Sequence, residues 1–160
     1  MEIAIRYQSR GGNVKEIAEI ISQGVDVEPI SIDDPRAPIT KHVDLLFIGG
    51  ALYKFALDPG LEEYIANLPE GIASKAIVFG SSWLTHRPVL LIKERVKARG
   101  IDIHPSAMWM RGKPKPYLYE IGVPWAKREA DRVQKELFGD AEDQDEAQAE
   151  AKESEDGGAE

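Results

Sequence analysis

The chain contains no cysteine. Disulfide bonds, thiolate catalysis and cysteine-ligated zinc or iron–sulfur centres are therefore excluded. The 160 residues also lack an apolar run approaching the roughly 20 residues that a membrane-spanning helix needs. The first residues do not show the basic and then apolar pattern of a secretory signal. We therefore expect a cytoplasmic protein that does not associate with a membrane.

An excess of negative charge occurs only at the end of the chain. The net charge is -8, but residues 140–160 alone hold ten acidic side chains and one lysine. Residues 1–139 hold 18 acidic and 19 basic side chains. The end segment has no aromatic or β-branched residue, so it cannot bury enough apolar surface to offset the entropy of ordering. We predict a folded domain over 1–139 and a disordered acidic tail over 140–160, with an arm that docks on a basic partner or on the domain itself as the alternative.

Apolar, β-rich runs alternate with amphipathic helical patterns. The predicted strands are Ile3–Tyr7, Val27–Ile32, Val43–Ile48, Ala76–Phe79 and Ile101–Trp109. The predicted helices are Val14–Gly24, a helix opening at Asp58 and Pro59, Pro88–Arg99 and Pro124–Phe138, with Gly24, Gly100 and Gly139 as stops. This alternation predicts an α/β protein with a parallel sheet covered by helices on both faces. The crossover at Asp33–His42 carries two prolines and is predicted to be a loop.

Three strand ends are followed by segments that look like binding loops. They are Gln8–Asn13, Gly49–Phe55 and Gly80–His86. Ligands of parallel sheets bind at the carboxyl ends of the strands. The first segment also leads through two glycines into a helix, which is how α/β proteins present backbone N–H groups to a phosphate. We therefore predict an anion site at the first segment.

These segments resemble the three flavin loops of the flavodoxin family. Tyr7–Val14 is similar to the flavodoxin phosphate loop, with matches at Ser9, Gly12 and Asn13. Gly49–Tyr53 resembles the second loop, which places an aromatic ring against the flavin, and Gly80–Trp83 resembles the third. The order and spacing agree over about residues 1–138. The resemblance implies a flavodoxin-like three-layer α/β/α sandwich, with a five-stranded parallel sheet of order 2-1-3-4-5, that binds flavin mononucleotide (FMN).

The resemblance also implies a set of binding residues. Ser9 and the N–H groups of the first loop would hold the phosphate, two aromatic rings would enclose the flavin, and backbone groups of the later loops would meet its polar edge. The implied cofactor-binding residues are Ser9, Arg10, Gly11, Gly12, Asn13, Val14, Ala51, Leu52, Tyr53, Ser81, Ser82 and Trp83. As alternatives, Tyr53 is a core or rim aromatic and Trp83 packs beneath the helix that begins near Pro88.

The first loop departs from the family pattern at two positions. Gly11 and Val14 stand where the pattern has threonines. Losing two hydroxyl bonds to a charged phosphate would cost roughly 3–6 kcal/mol, at about 1.5–3 kcal/mol each. Arg10 is the candidate to compensate, since a guanidinium beside the loop can pair with a phosphate.

Three functions are consistent with this reading. The first is a flavodoxin-like FMN protein in electron transfer, with a redox partner protein that is expected to be basic. The alternatives are an FMN-dependent oxidoreductase (a quinone reductase or a protoporphyrinogen-oxidase-like enzyme) and a flavodoxin-fold binding module that has lost flavin. No catalytic side chain is assigned, although His86 could donate a proton to flavin or substrate.

Other ligands have weaker support. The three histidines are dispersed, so no metal site is expected. A basic run occupies Lys93–Arg99 and continues at Arg111, Lys113 and Lys115. It predicts either the polar face of a surface helix or a docking patch for an acidic partner or for the tail. Nucleic-acid binding is not expected, because no aromatic residues interleave with these bases.

Overall fold

The structure, a computed structural model, describes residues 1–139. The predicted acidic tail, residues 140–160, lies outside the described residues. The strands are β1 (Ile3–Tyr7), β2 (Pro29–Ser31), β3 (Val43–Tyr53), β4 (Ala56–Leu57), β5 (Ala73–Ser81) and β6 (Asp102–Met110). The helices are α1 (Asn13–Val25), α2 (Pro59–Ala66), α3 (Arg87–Lys97) and α4 (Tyr117–Phe138). Within 1–139 no helix has the length and apolar character needed to cross a membrane.

Five strands form a parallel sheet in the order β2-β1-β3-β5-β6. The predicted order 2-1-3-4-5 is confirmed for these strands, because the two-residue β4 only adds an antiparallel hairpin to the end of β3. Helices α1 and α4 cover one face of the sheet, and α2 and α3 cover the other. The predicted three-layer α/β/α sandwich is therefore confirmed.

The sheet has a separate apolar core on each face. In β3, Phe47 packs with the residues of α1 and α4, whereas its neighbour Ile48 packs with those of α2 and α3. Both side chains are fully buried. Alternate side chains of a strand point to opposite faces, so a strand buried on both faces must be apolar throughout, as 45–48 is.

Strands β3 and β5 run further than the sequence predicts. Gly49 and Gly80 were expected to open loops, and this expectation was wrong, since the ladder continues through the pairs Gly50–Gly80 and Ala51–Ser81. A Cβ on Gly49 would lie 2.3 Å from the ring of Phe79, and one on Gly50 would lie 2.4 Å from Leu61 Cδ2. These glycines make room for large neighbours inside the sheet, so they are packing positions rather than turns.

Two helix boundaries also differ from the prediction. Helix α1 passes through Gly24 and ends at Val25, and Asp26 closes it in a left-handed conformation with φ 56°. Helix α4 begins at Tyr117 rather than at Pro124, which lies inside it. Proline is common at the first turn of a helix, but an interior proline is tolerated where packing outweighs one lost hydrogen bond. By contrast, the predicted cap of α2 at Asp58 and the predicted stop of α4 at Gly139 are confirmed.

The predicted loop between β2 and β3 is confirmed and is held by one buried and one half-buried side chain. The Ala37 carbonyl accepts hydrogen bonds from Arg6 Nε at 2.8 Å and from the Tyr64 hydroxyl at 2.6 Å. Ala37 itself is buried, as is Ile39. The loop therefore fills space beside the sheet that a crossover helix would otherwise occupy, and Arg6 satisfies its backbone.

A buried lysine marks the edge of the sheet opposite to the predicted loops. Lys75 Nζ contacts Asp102 Oδ2 at 2.8 Å and Glu136 Oε1 at 2.6 Å. Burial alone would lower the pKa of Lys75, but the two carboxylates outweigh it and raise the pKa above its ordinary value. Since Asp102 begins β6 and Glu136 lies in the last turn of α4, the last helix ends at the amino edge of the sheet.

We expect Gly24→Ala to destabilise the protein. A Cβ there would lie 2.5 Å from the Val123 carbonyl oxygen and 2.8 Å from Ala126 Cβ, so α1 and α4 must separate. Overpacking of this kind costs about 1–3 kcal/mol, although alanine normally favours a helix over glycine. Urea denaturation measures the change in the free energy of unfolding. The adjacent exposed change Gln23→Ala is the control, and equal stability of the two variants would contradict the prediction.

Candidate functional site

The three predicted loop regions meet around one cavity at the carboxyl edge of the sheet. Its volume is about 370 Å³, within the range of small-molecule sites. Of the twelve predicted binding residues, eleven line it: Ser9, Arg10, Gly11, Asn13, Val14, Ala51, Leu52, Tyr53, Ser81, Ser82 and Trp83. Gly12 lies in the same first loop but does not line the cavity. The structure thus brings together residues that are up to 74 positions apart in the chain, from Ser9 to Trp83.

The first loop ends in an uncapped helix. Gly12 is the N-cap residue of α1, with φ 90°, a conformation that favours glycine. It offers no side-chain oxygen, so the N–H groups of the first helical turn are available to an anion. Ser9 Oγ accepts a hydrogen bond from the Gly12 N–H at 3.1 Å, and the Gln8 N–H donates to the Gly49 carbonyl at 3.0 Å. The first bond closes the loop on itself, and the second holds it against β3.

The two positions that lack the expected hydroxyls differ from each other. The side chain of Val14 is buried in the core between the sheet and α1, so its contribution to a ligand would be mainly its N–H group. At Gly11 a Cβ would have no atom within 4 Å, and the glycine has an ordinary negative φ. Gly11 therefore faces open space, and a larger side chain would fit at this position of the first loop.

Arg10 takes a different place from the one the sequence suggested. Its guanidinium donates to Asp58 Oδ2 through Nε, at 2.8 Å, and through Nη2. Its Cζ atom lies 3.8 Å from the centre of the Tyr53 ring. The expectation that Arg10 is free to pair with a phosphate is thus not met in this arrangement, because Asp58 already holds the guanidinium. The contact instead orients Tyr53.

Asp58 joins this contact to the start of α2. Its second oxygen, Oδ1, accepts a hydrogen bond from the Gly60 N–H at 2.8 Å and so caps the helix. Burial alone would raise the pKa of Asp58, but the hydrogen bonds from Arg10 and Gly60 outweigh it and hold the pKa below its ordinary value. The hydrogen bond to Asp58 in turn raises the pKa of Arg10. The pair is therefore charged over the physiological pH range.

The hairpin between β3 and β4 is strained at its tip. Lys54 and Phe55 have φ of 51° and 69°, the left-handed region that a two-residue type I′ hairpin requires and that asparagine and glycine usually occupy. Such conformations cost about 1–3 kcal/mol each and cluster at functional sites. The turn places Tyr53 at the rim of the cavity and leaves Phe55 79% exposed.

The ring of Trp83 packs against Gly112, a glycine of the loop after β6. It is 67% exposed, and a Cβ on Gly112 would lie 2.5 Å from its Cη2 atom. Gly112 also has φ 66°, and its carbonyl accepts a hydrogen bond from Ser81 Oγ at 3.0 Å. Trp83 therefore packs on the loop after β6, not beneath α3, which was the alternative considered for it.

The histidines lie outside the cavity. His86 stacks on Trp109, with ring centres 3.9 Å apart, and does not line the cavity. His104 Nε2 lies 2.9 Å from the buried Glu129 Oε2, between β6 and α4. Within residues 1–139 no group of three His, Asp or Glu side chains could hold a metal ion.

The cavity has five lining residues that the sequence reasoning did not select: Gln8, Lys54, Phe55, Leu84 and Thr85. All of them fall within the three segments predicted as loops. The resemblance did not point to them, because they have no counterpart in the quoted family pattern, and the third match ends at Trp83. The lining consequently contains two cations, Arg10 and Lys54, and no carboxylate among the described residues.

Comparison with known proteins supports the architecture. No protein-family model matches the chain, and no curated protein matches it. A flavodoxin from the domain Archaea has a TM-score of 0.72 at 22% identity, over 84% of this chain and 99% of its own. Flavodoxin 1 from Bacillus cereus has a TM-score of 0.65 at 20% identity, and the match covers 79% of this chain and 95% of the flavodoxin. Rubredoxin oxygen:oxidoreductase from Desulfovibrio gigas has 0.69 at 15%, over 85% of this chain and 37% of its own. The chain therefore has a flavodoxin-like fold.

We expect the contact between Arg10 and Asp58 to be lost in acid. The pKa of Asp58 is lower in the folded protein than in the unfolded chain, where it is about 3.9. The stability it contributes is therefore complete above that value and disappears as the pH falls through the folded pKa. Asp58→Asn removes this contribution while keeping an oxygen that can cap α2. Urea denaturation at about pH 7 and about pH 3 should show a smaller acid-induced loss for the variant. An identical loss in both proteins would contradict the assignment.

Proposed function

We propose that the protein binds FMN non-covalently and acts in electron transfer. The observation that carries the proposal is the single cavity that joins the uncapped start of α1 to two exposed aromatic rings, Tyr53 and Trp83. A phosphate and a large aromatic ring system at the two ends of one small molecule match these two parts. The likeness to solved flavodoxins supports the proposal through the fold alone.

The phosphate end is assigned to the first loop. The N–H groups of the first turn of α1 and the positive end of its dipole favour an anion, and Ser9 lies beside them. The charge of Lys54 supports the same assignment, because this cation lines the cavity and no lining carboxylate opposes it, whereas the charge of Arg10 is balanced by Asp58. No hydroxyl is present at 11 or 14, so the backbone supplies most of the contacts.

The ring end is assigned to Tyr53 and Trp83. Tyr53 is 47% exposed and is oriented by Arg10, while Trp83 is supported by Gly112. Large aromatic surfaces held in place but left open to solvent are suited to stacking on a flat π-system. FMN, when bound, supplies the ability to accept and release electrons. The side chains orient it and set the charge around it.

Electron transfer is proposed ahead of a substrate-specific reaction. The aromatic rings lie at the rim, and in residues 1–139 the only segments bordering the cavity are the three short loop regions. Such a site exposes a bound ring to a partner rather than enclosing a substrate. Turnover of NAD(P)H with a quinone by the FMN-loaded protein would instead assign it as an oxidoreductase. The cytoplasmic location stays a prediction.

Titration of FMN with the protein tests the cofactor directly. We expect flavin fluorescence to be quenched at micromolar protein. Tyr53→Ala and Trp83→Ala should each weaken the binding of FMN and of riboflavin to the same extent, because both ligands carry the flavin ring. Stacking of a nucleic-acid base on an aromatic side chain contributes about 1–3 kcal/mol, and a loss of similar size is expected here. Leu90→Ala, at a 63% exposed position on α3, is the matched control. Absence of quenching would overturn the proposal and leave a flavodoxin-fold module without flavin.

Gly11→Thr tests the phosphate end. The open space at Gly11 accepts the new side chain, so the added hydroxyl should hydrogen-bond the phosphate and tighten FMN binding by about tenfold or more, equivalent to at least about 1.4 kcal/mol. Riboflavin, which has no phosphate, should bind as before. Gly11→Val has the same shape without the hydroxyl and should give no gain. A gain for riboflavin, or for the valine variant, would refute the assignment.

A further inference from the structure

The rim of the cavity is strongly basic although the whole chain is acidic. Four segments form or adjoin it: residues 8–12, 54–58, 82–87 and 111–116. Their cations are Arg10, Lys54, Arg87, Arg111, Lys113 and Lys115, and their single carboxylate is that of Asp58, which is bound to Arg10. We call these four segments the basic rim. The chain as a whole has a net charge of -8.

The same rim exposes large apolar side chains. Phe55 is 79% exposed, Leu84 is 82% exposed and Trp83 is 67% exposed. A single exposed apolar residue is unremarkable, but several on adjacent loops around one cavity indicate an interaction surface. With Tyr53 and Trp83 assigned to the flavin ring, Phe55 and Leu84 remain at the tips of their loops for a partner.

We infer that the basic rim docks an acidic partner protein whose contact surface combines carboxylates with a small apolar patch. Complementary charge steers such partners together and sets their orientation, and the exposed apolar side chains supply area that becomes buried. The partner's role as a redox partner rests on the proposed function. This partner differs from the basic redox partner that the sequence predicts, because the charge gathered at the rim is opposite in sign to the net charge of the chain.

The rest of the basic run does not belong to this surface. Arg95 of α3 lies 3.6 Å from Glu62, and Arg99, in the turn after α3, donates to the Leu68 carbonyl at 2.9 and 2.7 Å. These side chains are used within the domain. The loop after β2 contributes no residue to the cavity lining, and its Arg36 pairs with Asp34 and Glu28.

The described part of the chain ends at the edge of the sheet opposite to the basic rim. Residues 140–160 follow α4, whose last turn pairs with Lys75 at the amino edge of the sheet. The basic rim is at the carboxyl edge, and the 22 residues of α4 span about 33 Å between the two edges. Charges are screened over about 8 Å at physiological ionic strength, so the local sign at the rim governs docking there.

The first test measures the sign of the field at the rim without any flavin. Iodide and caesium quench tryptophan fluorescence and carry opposite charges, and Trp83 stands on the rim. The Trp83 signal is the difference between the full-length protein and Trp83→Phe. Iodide quenches free indole more efficiently than caesium does, so the ratio of the two quenching constants is compared with that of the uncharged N-acetyltryptophanamide, and the excess over this reference is the iodide preference. We expect the ratio for Trp83 to be several-fold higher than that of the reference, with the difference fading as salt is added. A field set by the net charge of the chain would instead lower the ratio below that of the reference.

Charge variants locate the effect. The triple change Arg111→Gln, Lys113→Gln and Lys115→Gln should remove most of the iodide preference. The triple change Lys41→Gln, Lys97→Gln and Lys127→Gln alters the net charge equally at exposed positions away from the rim and is the control. Equal effects of the two triple variants, or no iodide preference in the parent, would overturn the inference.

The second test measures docking with a matched pair of synthetic helical peptides. Both carry the same leucine and phenylalanine positions, and their polar positions are all glutamate in one and all lysine in the other. We expect the glutamate peptide alone to bind, and the rim triple variant to weaken it by roughly tenfold or more while the control triple variant does not. Phe55→Ser combined with Leu84→Ser should also weaken it. Binding of the lysine peptide alone, or of both peptides equally, would overturn the inference.

Two further outcomes separate other occupants of the rim. A full-length variant with its ten acidic residues after Gly139 changed to their amides should keep the iodide preference unchanged, and a marked increase would assign the rim to the chain's own tail. Sedimentation with phosphatidylcholine vesicles containing phosphatidylglycerol, without binding of the glutamate peptide, would assign it to a lipid surface. Either result overturns the inference. Failure of FMN to bind would overturn only the proposed function, since neither test uses flavin.

Discussion

The candidate site depends on the register of three parallel strands. Tyr7 of β1 lies opposite Gly49 of β3, which lies opposite Phe79 of β5. Because parallel strands end at one edge, this register brings the first loop, the β3–β4 hairpin and the loop after β5 around one cavity. The register is possible because Gly49 and Gly50 leave room for Phe79 and Leu61 on opposite faces of the sheet. A side chain at either glycine would push apart the layers that align the loops.

The exposed aromatic side chains of the cavity are held in place by contacts with neighbouring residues. Asp58 caps α2 and holds Arg10, and Arg10 in turn orients Tyr53. Trp83 rests on Gly112 of another loop. These supports place two aromatic rings at a rim exposed to solvent without letting them collapse onto the core. The strained hairpin tip at 54–55 is consistent with a position selected for binding rather than for stability.

Much of this arrangement was predictable from the sequence, because the relevant signals are local. The alternation of strands and helices, the cap at Asp58, the loop over 33–42 and the three segments around the cavity all follow from patterns within about ten residues. The errors arose where packing overrides those patterns. Gly24 looks like a helix stop but contacts α4, and Gly49 looks like a loop but lies within a strand. Nothing local distinguishes a glycine needed for its conformation from one needed for its small size.

The sequence by itself determined the fold class, the absence of cysteine chemistry and the segments that line the cavity, since composition and periodicity are properties of the chain. Only the tertiary structure decided which side chains meet. Arg10 and Asp58 are 48 residues apart, and their pairing moved Arg10 from its expected place beside a phosphate to the ring of Tyr53. The tertiary structure also decided the sign of charge at the rim. The net charge read from the sequence sums every charged residue of the chain. A partner that docks at the rim interacts mainly with the charges that the fold brings within about 8 Å of it, because more distant charges are screened by salt.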